Sequence, residues 1–153
     1  MANNYYEATG VLMLDQVTPV IKALFSTFAL DESYPRHGQA YIARIAETSD
    51  PQWLDVQDGL EDLANQLGVL LPDNDERSIP LLLELLASHF GADKDEELEH
   101  LIEHHSFEND ADLGALFLIA SCFDDGHHLA AIQFEGHTFA KFIYIDHACT
   151  FLV

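Results

Sequence analysis

"HLAAIQFEG" (128–136), "TFAKFIYID" (138–146) and "ACTFLV" (148–153) close the chain with three short runs rich in branched and aromatic residues. Runs of this length, joined by tight connections, read as the strands of a β-meander. They decide the fold, because nearly everything from residue 50 to residue 123 reads as helix.

Working back from the meander, "DADLGALFLIASCF" (110–123) is expected to be a helix, and another covers about 93–105. "SIPLLLELLASHFG" (78–91) starts at Ser78, a good N-cap, and stops at Gly91. In "DPQWLDVQDGLEDLANQLG" (50–68), Trp53, Val56, Leu60, Leu63 and Leu67 recur at helical spacing. Asp50 stands as its expected N-cap, Pro51 at the first helical position and Gly68 at the end. Further upstream, "GQAYIARIAE" (38–47) alternates like a strand buried on at least one face. "VTPVIKALFSTFAL" (17–30) is a helix capped by Thr18 with Pro19 next, and "YYEATGVLML" (5–14) is a strand. The order β-α-β, four helices, β-β-β predicts one α+β domain over residues 1–153. Its sheet is mostly antiparallel, N-terminal strands plus the C-terminal meander, with four or five helices packed on one face.

A chain of 153 residues, 48% of them apolar, is long enough to bury a real core. Six Lys and Arg against 27 Asp and Glu give a net charge of −21. Such a surface repels nucleic acid and anionic membrane and attracts basic protein surfaces and cations. Cys122 and Cys149 stand without ligand-like spacing. "MANNYYEATG" shows no secretory signal, and no apolar run reaches the roughly 18 residues of a membrane span. A cytoplasmic protein with reduced thiols and no cofactor is expected.

The charge is unevenly placed. Residues 47–125 hold 21 acids and two bases, whereas the segments on either side each carry a net charge of only −1. "ADKDEELEHLIEHHSFENDAD" (92–112) alone has nine carboxylates, three histidines and one lysine. On a helix over 93–105, Leu98, Leu101, Ile102 and His105 fall on the core side. Asp93, Glu96, Glu97, His100, Glu103 and His104 fall on the water side. From Asp93 to Glu103 such a helix rises about 15 Å and carries a carboxylate every ~2.5 Å. One strand of duplex DNA carries a charge every ~3.4 Å. The candidate partner-binding residues are therefore Asp93, Asp95, Glu96, Glu97, Glu99 and Glu103, then Glu108, Asp110 and Asp112. Asp55, Asp58 and Asp62, at i, i+3 and i+7, form a second row.

Crowding like charges costs a few tenths of a kcal/mol per neighbouring pair. A chain that accepts this repeatedly gains something from the field, and the expected gain is a basic, nucleic-acid-binding partner. The competing explanations are a merely solvated face, which acidity keeps soluble, and adaptation to concentrated salt. Salt adaptation would coat the whole surface, whereas here both ends of the chain are nearly neutral.

Within the same stretch, "HLIEH" (100–104) resembles the H-x-x-E-H motif of the inverted zincin metallopeptidases. The resemblance covers five residues. It implies a zinc-dependent hydrolase in which His100 and His104 hold the metal and Glu103 activates water. It also implies a downstream glutamate ligand, for which only Glu108 and Glu135 follow. Elsewhere, "FIYIDHACTFLV" and "SCFDDGHHL" bring cysteine and histidine close in sequence, but short apolar strands holding one cysteine are commonly core. "DDGHH" (124–128) suits a cation or a plain turn equally. No phosphate loop, nucleophile elbow or dinucleotide fingerprint occurs.

"YYEATGVLMLDQVTPVIKALF" (5–25) followed by "GQAYIARIAE" is similar to small uncharacterised acidic proteins carried on bacterial plasmids and integrative elements. The resemblance covers about the first third of the chain and implies no activity. It implies a mobile-element setting, in which inhibitors of host nucleases and DNA-binding factors are useful. The expected function is thus a non-catalytic, DNA-mimic inhibitor of the anti-CRISPR or anti-restriction type. An immunity protein against a nuclease toxin, or a generic interaction module, would show the same electrostatics.

Overall fold

The computed structural model describes residues 6–31, 38–45, 51–134 and 137–140. Its strands are β1 (Tyr6–Met13), β2 (Gln39–Ile45), β3 (Ala131–Phe134) and β4 (His137–Ala140). Its helices are α1 (Pro19–Phe25), α2 (Trp53–Leu67), α3 (Ile79–Phe90), α4 (Glu96–His104) and α5 (Leu113–Cys122). The four strands form one antiparallel sheet in the order β2-β1-β3-β4, giving an α+β fold. β3 and β4 make the first hairpin of the expected meander. The third run, "ACTFLV", lies outside the described residues.

Period-two alternation sends one face of the sheet inward. Leu12, Ala40, Ile42, Ile132 and Phe134 are buried, while Tyr41 and Gln133 between them are exposed. The inward residues join a core with Val20, Ile21, Leu24 and Phe25 of α1, Trp53, Val56, Leu60 and Leu63 of α2, Leu82, Leu83 and Leu86 of α3, Leu98 of α4 and Leu116 of α5. Among the described elements the helices contact one another in a closed ring, α1–α2–α3–α4–α5–α1. No helix among the described residues is long and apolar enough to cross a membrane.

Most helix ends follow local chemistry. Thr18 caps α1 by accepting from the Ile21 amide, with Pro19 at the first position. Ser78 caps α3 through the Leu81 amide. Gly68 and Gly91 close α2 and α3 at φ 77° and 73°, a conformation costly for other residues.

Four ends differ from expectation. α5 begins at Leu113 with Asp112 as its N-cap, not at Asp110, which lies in an isolated bridge to Gln52. α1 stops at Phe25 and continues as a single 3₁₀ turn over Ser26–Phe28, which Ala29 ends at φ 54°. α2 begins at Trp53 with Gln52 as its N-cap, so Pro51 precedes the helix; Asp50 lies outside the described residues. The cause is tertiary: Gln52 pairs with Asp110 in an antiparallel bridge that holds residues 51–52 extended. α4 begins at Glu96 because Asp95, not a residue before Asp93, takes the cap.

α1 and α2 lie unusually close. A Cβ on Gly59 would stand 2.2 Å from the carbonyl oxygen of Ala23. Only glycine permits that approach, and it sets the spacing of the α1–α2 surface discussed next.

Candidate functional site

The Asp95 carboxylate accepts from the Leu98 amide at 3.0 Å and so fixes where α4 starts. From there the apolar period seats Leu98 in the core, with Leu101 and Ile102 half-buried. Asp93, Glu96, Glu97, His100, Glu103 and His104 are all exposed, as the helical projection expects, and so is Glu99. The helix is shorter than expected, however. Asp93 and Asp95 belong to the α3–α4 connection, and four carboxylates remain on the helix itself. Asp93, Asp95, Glu99 and Glu103, with Glu84 of α3, rim a groove of about 210 Å³ floored by Ala87, Ala92, Leu98 and Ile102.

Asp55, Asp58 and Asp62 share one exposed face of α2, the face turned towards α1. With Lys22, Ser26 and Gln66 they line a second groove of about 440 Å³. The two acidic rows are thus not side by side: one borders α1 and the other borders α3.

What joins them is the α4–α5 connection. Its backbone pairs with the start of α2: the Trp53 amide donates to the Asn109 carbonyl at 2.8 Å, and the Ala111 amide to the Pro51 carbonyl at 2.9 Å. Gln52 sits at the junction. Its backbone amide donates to Asp55 Oδ2 at 3.2 Å, and its side-chain Nε2 donates to Asp110 Oδ1 at 2.7 Å. Asp112 caps α5 through the Gly114 amide at 3.1 Å and faces His105 Nε2 at 3.4 Å. His105 and Phe107 in turn pack on the buried Trp53, with ring centroids 5.4 and 4.9 Å from it. The α4–α5 connection, which carries Glu108, Asp110 and Asp112, therefore meets the start of α2 at Gln52, between Asp110 and Asp55.

All twelve candidate carboxylates are exposed, but they divide by employment. Asp55, Asp95, Asp110 and Asp112 hold caps or the junction. Among the described residues, no hydrogen bond or ion pair engages Asp58, Asp62, Asp93, Glu96, Glu97, Glu99 or Glu108. Glu103 has only a 3.8 Å approach from the exposed His104. Sequence reasoning missed Glu84 and Gln52. Glu84 left a signal, as the lone charge in an otherwise apolar helix. Gln52 left none, since its role depends on a residue 58 positions away.

The H-x-x-E-H residues occupy this same exposed face. His100 and His104 stack with ring centroids 4.4 Å apart. Among the described residues, no group of three or more His, Cys, Asp and Glu side chains could hold a metal ion. Glu135, the other downstream glutamate, lies outside the described residues, as do Asp146, His147 and Cys149. Glu108 is described, and it makes no third ligand.

"DDGHH" is a turn that ties the end of α5 to the β1–α1 connection. Asp125 accepts from Thr18 Oγ1 at 2.5 Å and from the Val20 amide at 3.3 Å. The fully buried His127 accepts the Leu129 amide on Nδ1 and donates Nε2–H to the Ala120 carbonyl. His128, at φ 50°, sets Nδ1 2.7 Å from Asp15 Oδ2. That bond, with the nearby Asp124 charge, raises the His128 pKa. For Asp124, burial pushes upward, but amide bonds from His128 and Gly126 prevail and hold its carboxyl below the usual range.

Compared with protein-family models, curated proteins and solved structures, the chain has no match.

Proposed function

We propose that this chain is a non-catalytic inhibitor that occupies the basic nucleic-acid-binding surface of a host defence complex, nuclease or DNA-binding protein. The observation that carries the reading is the run of exposed carboxylates on α4 and α2 that, among the described residues, make no side-chain hydrogen bond or ion pair. Glu96, Glu97 and Glu99 favour the start of α4 through its dipole, but the crowding of like charges works against the fold. Their field instead steers and holds a cationic surface. Like the DNA it replaces, the chain would present charge at regular intervals along a rigid element. The Asp55–Gln52–Asp110 junction would extend the contact from α4 to α2.

The test neutralises α4 alone. Glu96, Glu97, Glu99 and Glu103 are exposed and take no part in capping, so replacing all four with Gln should keep the fold, at the loss of some dipole stabilisation at the start of α4, as circular dichroism would check. Binding to a partner captured from host extract at low salt should weaken by an order of magnitude or more, at ~0.2–1 kcal/mol per exposed charge pair. The salt dependence of the remaining affinity should flatten. Unchanged affinity would remove this surface from the interface.

A further inference from the structure

His100 and His104 have no role in the inhibitor reading, yet their arrangement is specific. They stand at i and i+4 on α4, both exposed, with ring centroids 4.4 Å apart at an interplanar angle of 41°. Two imidazoles so placed on one helix can chelate a transition-metal ion in a bidentate manner. They supply half of a tetrahedral set, and the described residues of one chain supply no third ligand.

From this we infer that His100 and His104 form a half-site for zinc that a second copy of this chain completes. Four imidazoles, two from each α4, would close a tetrahedral shell. The surrounding charge favours the assembly twice over. Glu96, Glu97, Glu99 and Glu103 lie on the same short helix and concentrate divalent cations near the pair. The ion's two positive charges then offset the repulsion between two acidic helices, which otherwise keeps copies apart. Such a dimer would cover the α4 carboxylates, so zinc would set how many chains are free to meet a basic partner.

The experiment uses the full chain without a histidine tag, stripped with EDTA and titrated with zinc chloride. Calorimetry reads the stoichiometry and light scattering on a sizing column reads the mass. The expected result is half a zinc ion per chain and a doubling of mass, reversed by EDTA and not produced by magnesium. His100→Ala and His104→Ala should each abolish the doubling, while Glu103→Gln retains it. Circular dichroism of the histidine variants should show an unchanged fold, as expected for exposed side chains. A mass that stays constant at excess zinc overturns the inference, as does doubling that persists in both histidine variants. Neither outcome bears on the inhibitor reading, whose test involves no metal.

Discussion

A single side chain shows how function and fold compete for charge in this molecule. Asp15 and Asp124 are exposed, Asp124 less so than the α4 glutamate Glu103, and both are committed to the turn that anchors the sheet to α1. Their partner His128 has a raised pKa, first through the Asp15 hydrogen bond and then through the Asp124 charge. A raised value means the folded state binds the proton more tightly than the unfolded one. The contribution is thus complete below the ordinary histidine pKa and disappears as pH rises through the raised value. Between about pH 6 and about pH 9 the wild type should lose more in melting temperature than Asp15→Asn, by thermal unfolding followed by circular dichroism. Equal losses in the two proteins would show that this pair does not couple to folding. The same scale explains why the structural bonds of four of the candidate site residues were not foreseen. Asp55, Asp95, Asp110 and Asp112 were legible as acids, but their bonds to amides and to Gln52 appear only once the chain is folded.

At the scale of elements, the helices and strands were largely legible because their signals are local. Thr18-Pro19, Ser78, Gly68 and Gly91 mark ends by side-chain chemistry and backbone freedom, and the structure uses all of them. The start of α2 was not legible, because the bridge from Gln52 to Asp110 outweighs the Asp50-Pro51 signal. Likewise, β1 sits between β2 and β3, a sheet order that no local pattern encodes. Gly59 is an intermediate case: a glycine inside a helical run marks either weakness or close packing, and here it is packing. Gly59→Ala gains about 1 kcal/mol in helix propensity but forces a Cβ to 2.2 Å from the Ala23 carbonyl oxygen. Pushing α1 away from α2 should cost about 1–3 kcal/mol net. A urea titration should show a lower midpoint for this variant, whereas a midpoint at or above wild type would mean that α1 yields freely. Since Asp55, Asp58 and Asp62 line that interface, the variant should also alter the spacing between them and Lys22.

Over the whole molecule, the net charge of −21 sits on a fold whose described sheet face offers no counter-charge in its exposed centre, Tyr41 and Gln133. The sequence already showed where the acids concentrate and that they face water. It did not show that they form two grooves, one against α1 and one against α3, joined through the α4–α5 connection. That arrangement follows from the ring in which the helices close on one another. The most direct measurement is competition: a partner captured from host extract on the immobilised chain is challenged with duplex DNA over a series of salt concentrations. Release by DNA in proportion to its concentration, with retention falling steeply as salt rises, is the expected result. A partner that stays bound under saturating DNA, and is indifferent to salt, would contradict the account.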